Sequence, residues 1–193
     1  MRHVLIVAHP GKDSLTAAIA TAYRSAAEAR GDAVLVRDLY AMGFDPCLKL
    51  TEIPGTPGFA PSPDVAEERK RLVGTDVFAL FYPLWLNAPP AILKGYLERV
   101  FGFGFAYDRG VGGNEPLLTG KKFVSFTTSG APTEWVKKSG AWDAVRTLFD
   151  EHFAAMCGFT IAGHHHLGGV VPRMRADVVE RHLAAVRTVA AEI

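Results

Sequence analysis

Short apolar runs alternate with helical segments along this chain of 193 residues, and this alternation limits the fold more than any other feature. The apolar runs predict strands at residues 3–8, 33–39, 77–82, 122–127 and 159–162. Helical patterns follow at residues 15–30, 63–73, 90–101, 141–156 and 175–192. Strands joined by helices form βαβ units, whose parallel strands lie in one sheet covered on both faces. We therefore expect a single α/β domain over residues 1–193, a three-layer sandwich whose five-stranded parallel sheet has the order 2-1-3-4-5.

Composition excludes several classes of protein. The formal net charge is +1, which gives no electrostatic attraction for nucleic acid or an anionic membrane. No run of 18 apolar residues and no signal-peptide pattern is present, so we expect no membrane insertion and a cytoplasmic location. Cys47 and Cys157 have no CxxC spacing, which is typical of free thiols in a reducing compartment.

The predicted topology brings the loops after strands 1, 3 and 4 to one point, at the carboxyl edge where such sheets bind ligands. The first loop carries Lys12, and Ser14 stands at the start of a helix, where backbone N–H groups can hold a phosphate. Alternatively, Ser14 only caps the helix and Lys12 is only solvated. The loop lacks the Walker and G-x-G-x-x-G patterns, which disfavours nucleoside triphosphate and Rossmann sites.

The second loop is rigid and mostly apolar. Pro83 and the pair Pro89–Pro90 fix backbone angles on either side of Leu84, Trp85, Leu86 and Asn87. Such a rim suits a flat heteroaromatic ligand.

The third loop combines hydroxyl and small side chains at Thr127, Thr128, Ser129 and Gly130. These residues let backbone amides approach the edge of a ligand closely, although an ordinary turn has the same composition. Three such loops on one edge together favour a bound flavin mononucleotide unit.

Several segments carry a resemblance to a known family, in order and spacing, from residue 3 to about residue 162. They are residues 8–10, 38–46, 83–101, 105–107, 127–130 and 157–159. The most specific are Leu-Tyr-Ala-Met at residues 39–42 and Pro-Ala-Ile-Leu-Lys-Gly at residues 90–95. The chain resembles the NAD(P)H:quinone oxidoreductases with a flavodoxin-like fold.

The resemblance implies a flavoprotein homodimer that uses FAD, or alternatively FMN. NAD(P)H would give hydride to the flavin, and a quinone or similar acceptor would then take its place in a ping-pong sequence. The residues that would bind the flavin are His9, Ser14, Leu15, Thr16, Pro83, Leu84, Trp85, Leu86, Asn87, Thr127, Thr128, Ser129 and Gly130.

The chain departs from the family pattern at several positions. Trp135 and Ala141 stand where the best-known members carry a Tyr and a His that assist hydride transfer, and Thr16 stands where many carry Asn. No catalytic side chain is therefore assigned, and Tyr107 and Trp135 are the candidates. Two other functions stay open, a flavin-containing electron carrier and a regulatory subunit of a transporter.

Two further segments have alternative interpretations. His164, His165 and His166 suggest a metal site, but only His164 and His166 can share one side of an extended chain. We expect no metal there and favour a loop at the carboxyl edge of the sheet, or one histidine at the substrate entrance. Residues 102–113 form either a mobile aromatic lid or a surface that packs on a dimer partner.

Overall fold

The computed structural model describes residues 1–193. Seven strands occupy Arg2–Val7 (β1), Ala33–Asp38 (β2), Val77–Pro83 (β3), Tyr107–Gly110 (β4), Gly113–Pro116 (β5), Lys122–Thr128 (β6) and Thr160–Leu167 (β7). Seven helices occupy Leu15–Ala29 (α1), Pro63–Leu72 (α2), Ala91–Val100 (α3), Thr133–Lys138 (α4), Ala141–Val145 (α5), His152–Cys157 (α6) and Ala176–Glu192 (α7). A 3₁₀ turn lies at Leu50–Glu52, and a π-helical turn at Arg146–Glu151 joins α5 to α6.

Five strands form one parallel sheet in the order β2-β1-β3-β6-β7. The expected five-stranded parallel sheet in an α/β fold is confirmed, but the strand order 2-1-3-4-5 needs correction to 2-1-3-6-7. The difference comes from β4 and β5, an antiparallel hairpin outside the main sheet. This hairpin overlaps residues 102–113, the segment predicted to be either a mobile aromatic lid or a dimer surface, and its polar, glycine-rich sequence has no apolar alternation that predicts strands.

Apolar side chains pack on both faces of the sheet. On one face the core includes side chains of α1 and α7, among them Ile19, Tyr23 and Val186. On the other face it includes side chains of α3 and the helices after β6, among them Leu93 and Val145. Burial on both faces explains why β3 and residues 4–7 of β1 are continuous apolar runs. No helix of the chain is both long enough and apolar enough to span a bilayer.

The long segment between β2 and α2 is fixed to α3 by a buried arginine. Arg99 is 2% exposed and pairs with Glu52 at 2.8 Å and Asp64 at 2.9 Å. A Cβ at Gly95 would lie 2.2 Å from the carbonyl oxygen of Pro46, so the helix and the segment approach as closely as only glycine allows. The segment has little regular structure but is held firmly.

Strand β7 is longer than expected, and the three histidines lie within it rather than in a loop. A bulge shifts the pairing, so that Ile161 faces Phe123 but Gly163 faces Val124. Gly163 has φ +152°, which L side chains rarely adopt. Because a shift of one residue reverses the faces of a strand, the bulge decides which histidines point to which layer.

Candidate functional site

The three loops predicted to converge do meet at the carboxyl ends of β1, β3 and β6. The backbone N–H of Leu84 donates to the carbonyl of Thr128 at 2.7 Å. The hydroxyl groups of Thr16 and Thr128 lie 3.0 Å apart, within hydrogen-bond distance. The rings of His9 and Trp85 pack with centroids 5.8 Å apart. These contacts join the first loop to the other two.

The first loop leads into a 15-residue helix whose first turn has free donors. Ser14 is the N-cap, and its hydroxyl accepts a hydrogen bond from the Ala17 N–H at 3.1 Å. The backbone N–H groups of Leu15 and Thr16 have no acceptor within the protein. The imidazole of His9 is occupied locally, since its Nδ1 accepts from the Gly11 N–H at 2.9 Å. The turn can thus accept an anion through backbone amides and the helix dipole.

The Thr16 side chain stabilises the fold, in addition to any contact of this residue with a ligand. Its side chain is 1% exposed, and its hydroxyl is directed to Thr128 rather than into the loop. This contact ties α1 to β6, and it leaves the backbone N–H of Thr16 as the group available to a ligand.

The second loop presents an exposed apolar tip. Trp85 and Ala88 exchange two backbone hydrogen bonds, at 3.0 and 3.1 Å, which close a tight turn. Leu86 and Asn87 in the turn have φ values of 52° and 57°, a left-handed conformation that non-glycine residues seldom adopt. Leu86 is fully exposed and Trp85 is 44% exposed, whereas Pro83 and Leu84 are buried beneath them. The tip therefore offers exposed apolar surface that can cover a flat ligand.

The third loop offers fewer free groups than its sequence suggests. Thr127, Thr128 and Ser129 are buried, and the Ser129 N–H already donates to the Leu167 carbonyl at 3.2 Å. Gly130 is exposed, and its N–H has no acceptor within the protein. Of the four predicted residues, Gly130 is thus the one that presents an amide to a ligand.

Behind the third loop, two of the three histidines lie within hydrogen-bond distance of side chains of this loop. Because of the bulge, His164 lies opposite Ser125 and His166 lies opposite Thr127. The Thr127 hydroxyl lies 2.9 Å from His164 Nε2 and 2.8 Å from His166 Nδ1. The Nε2 atom of His166 lies 3.0 Å from the Ser129 hydroxyl. The prediction that His164 and His166 share one side of the strand is confirmed.

A buried carboxylate ends this polar chain. Asp150 lies in the π-helical turn, and its carboxylate contacts His164 Nδ1 at 2.5 Å, with both side chains 2% exposed. It also accepts a hydrogen bond from the Ser125 hydroxyl at 2.8 Å. Burial, helped by the charges of His164 and Lys137, lowers the pKa of His166 to about 4, so this ring stays neutral near pH 7. Asp150 was missed because the π-helical turn that aims it at β7 has no sequence signature.

The remaining histidine points the other way. His165 stacks on Phe126 with ring centroids 5.1 Å apart, on the face covered by α1 and α7. No group of three or more His, Cys, Asp or Glu side chains is placed to hold a metal ion.

The two candidate catalytic side chains lie in different surroundings. Tyr107 lines an apolar groove of about 360 Å³ together with Leu97, Phe101 and Phe149, and this groove shares no residue with the loops. Trp135 lies on α4 and is 53% exposed.

Known proteins resemble this chain over most of its length. The chain matches the family model described as the flavodoxin-like fold over residues 1–190. It is 33% identical to an uncharacterized NAD(P)H oxidoreductase of Haemophilus influenzae, across 97% of this chain and 94% of that protein. It is 28% identical to NAD(P)H dehydrogenase (quinone) 1 of Rattus norvegicus, across 93% of this chain and 74% of the rat protein. The solved NAD(P)H:quinone oxidoreductase of Methanothermobacter marburgensis superposes with a TM-score of 0.85 at 26% identity, covering 100% of this chain and 96% of that one.

Proposed function

The chain belongs to the flavodoxin-like NAD(P)H:quinone oxidoreductase family, and we propose that it binds one flavin per subunit and transfers two electrons from NAD(P)H to a quinone or similar acceptor. We propose FAD as the flavin, with FMN as the alternative. The mass of the flavin released on denaturation distinguishes the two.

The observation that carries the proposal is the set of unpaired donors and exposed apolar side chains where the three loops meet. The free N–H groups of Leu15 and Thr16 would bind the phosphate beside the positive end of α1. Trp85 and Leu86 would lie along the ring system, and the Gly130 N–H would meet its edge. These groups fit a ligand that has an anionic end and a flat aromatic end.

When bound, the flavin supplies the chemistry by accepting a hydride from one substrate and returning it to the next. The protein orients the ring and excludes water with Trp85 and Leu86, while fixed amides such as that of Gly130 favour developing negative charge. No side-chain nucleophile is required.

Flavin titration of two matched variants tests the binding site. Leu86→Ala removes exposed apolar surface at the loop tip, and burial of such a side chain contributes about 1.5 kcal/mol, so affinity should fall about tenfold. Val73→Ala removes an exposed side chain from the end of α2, at the opposite edge of the sheet, and should leave affinity unchanged. Quenching of flavin fluorescence measures both. Equal affinities for the two variants, or no quenching by the wild-type protein, would count against the proposed site.

We propose that donor and acceptor use the same face of the flavin in turn. Steady-state rates measured with NAD(P)H and quinone varied together should then give parallel double-reciprocal lines. Lines that intersect would argue for separate sites.

We further propose a cytoplasmic homodimer. The apolar groove beside α3 supports the dimer, since Leu148 and Met156 at its edge are 62% and 43% exposed in a single chain. Light scattering should give a mass twice that of one chain, whereas the mass of one chain would contradict the dimer.

A further inference from the structure

The buried polar chain behind the third loop is not used by the proposed cofactor site. It runs from the Asp150 carboxylate through His164, Thr127 and His166 to the Ser129 hydroxyl, with each link between 2.5 and 3.0 Å. Two irregularities of the backbone build it. The bulge before Gly163 turns His164 and His166 to this face, and the π-helical turn aims Asp150 at them. π-Helical turns and bulges occur often at functional sites.

Because burial disfavours charge on His166, that ring is taken as neutral, and hydrogen counting along the polar chain then allows two complete patterns. In the first pattern, the Ser129 hydroxyl donates to the Ala131 carbonyl, 2.9 Å away. Ser129 must then accept from His166 Nε2–H, and because His166 is neutral its bare Nδ1 must accept from the Thr127 hydroxyl.

The first pattern fixes the charge of the remaining histidine. Having donated its one hydrogen to His166, Thr127 must accept from His164 Nε2–H, while His164 Nδ1–H donates to Asp150. His164 therefore holds hydrogens on both nitrogens and forms an imidazolium beside the carboxylate.

The second pattern contains one proton fewer. The Ser129 hydroxyl now donates to His166 Nε2, His166 Nδ1–H donates to Thr127, and Thr127 donates to His164 Nε2. Both histidines are neutral. The two patterns differ in the tautomer of His166, which carries its hydrogen on Nε2 in the first and on Nδ1 in the second.

We propose that this set of hydrogen-bonded side chains is a proton relay. One proton received at the Ser129 hydroxyl is stored as the imidazolium of His164 beside Asp150. In the discharge direction, the Ser129 hydroxyl proton leaves and His166 gives its Nε2 hydrogen to Ser129. Thr127 then gives its hydrogen to His166 Nδ1, and His164 gives its Nε2 hydrogen to Thr127. A proton from water, entering at Ser129, reverses these four transfers.

The reaction proposed above requires such a proton, and in this respect the relay depends on that function. NAD(P)H delivers one hydride, whereas the reduction of a quinone to a hydroquinone consumes a hydride and a proton. One proton per turnover must therefore come from the protein or from water. Ser129 directly precedes Gly130, whose amide would meet the flavin edge, and Ser129 is 8% exposed, so the outer end of the relay lies next to the proposed site.

The surrounding charges suit storage at His164. The titratable groups around the histidine pair are Asp150 from the π-helical turn, Lys137 from α4 and His182 from α7, which lines the same cavity, together with His165 and then Glu192 on the opposite side of β7. Burial disfavours charge on His166, so this ring passes the proton on without retaining it. Of His164 and His166, only His164 has a carboxylate partner.

Nitrogen-15 NMR of the histidine rings tests the relay in flavin-loaded protein and again after flavin removal. As pH falls from 9 to 5, we expect His166 to move its hydrogen from Nδ1 to Nε2 in the same step in which His164 gains its second proton. Thr127→Val, which keeps the shape but breaks the chain, should leave His164 titrating while the His166 tautomer no longer follows. Thr127→Ser should restore the coupling. A single His166 tautomer across the range, or coupling that survives Thr127→Val, would overturn the relay.

Stopped-flow kinetics adds a second readout, and it separates the relay from the proposed function. Oxidation of the reduced protein by quinone should slow about 100-fold in Thr127→Val, the lower end of what a positioned proton donor contributes, and recover in Thr127→Ser. Ser129→Ala alters only the outer end of the relay, and it is the variant to measure if Thr127→Val does not fold. A rate unchanged in Ser129→Ala would contradict delivery through Ser129. If the protein bound no flavin, the NMR coupling would still appear, whereas failure of the relay alone would leave flavin binding intact.

Discussion

The charge of Glu52 should make a measurable part of the stability depend on acid pH. Its side chain is 3% exposed, and its carboxylate accepts hydrogen bonds from Arg99 at 2.8 and 2.9 Å and from the Lys49 N–H at 3.0 Å. Burial alone would raise the pKa of Glu52. The hydrogen bonds outweigh burial and lower the pKa from its ordinary value of 4.5 to about 2.

The size and sign of the effect follow from this shift. A pKa lowered from 4.5 to about 2 corresponds to about 3 kcal/mol of unfolding free energy. Because the pKa of the folded state is the lower one, this stability is fully present above about pH 5 and is lost as pH falls towards 2. Between pH 6 and pH 3 the loss should be about 2 kcal/mol.

Urea unfolding of the wild type and Glu52→Gln, followed by circular dichroism from pH 6 to pH 3, measures this term. The variant lacks the titrating group, so its deficit in unfolding free energy should shrink by about 2 kcal/mol over that range. Glu67→Gln is the matched control, since Glu67 pairs only at the surface with Lys70 and Arg71 and should change stability by less than about 0.5 kcal/mol. A deficit for Glu52→Gln that is constant with pH would refute the reasoning.

Two further predictions concern side chains that the fold encloses. Thr16→Val leaves the buried Thr128 hydroxyl without its partner and should lower the unfolding free energy by about 1–3 kcal/mol. The double variant with Thr128→Val should recover part of this loss. Additive losses in denaturant melts would show that the two hydroxyls are not coupled. Burial raises the pKa of the Cys157 thiol to about 12. Iodoacetamide at pH 8 should therefore label the exposed Cys47 and leave Cys157 unmodified in native protein, and mass spectrometry of peptides can check this. Equal labelling of the two cysteines would contradict the burial of Cys157.

The parallel sheet and the meeting of its loops could be predicted from the sequence because both depend on local patterns. Runs such as residues 77–82 are apolar at every position, as strands buried on both faces must be. Once the strands alternate with helices, right-handed connections place the loops on one edge.

The polar chain could not be predicted because it depends on irregularities that tertiary packing decides. The bulge in β7 sets which histidines face Asp150, and a sequence that reads His164, His165, His166 is compatible with either face. Asp150 is 14 residues from His164, and only the π-helical turn brings the two together. The hairpin of β4 and β5 is polar, so the pattern of apolar residues could not reveal it.

Anaerobic single-turnover spectroscopy of the flavin-loaded protein tests the central claim most directly. Addition of one equivalent of NADH or NADPH should bleach the visible flavin absorption, and subsequent addition of one equivalent of a quinone should restore it. A protein that takes up flavin yet keeps its absorption unchanged with both nicotinamides would contradict the claim that it carries electrons from NAD(P)H to a quinone.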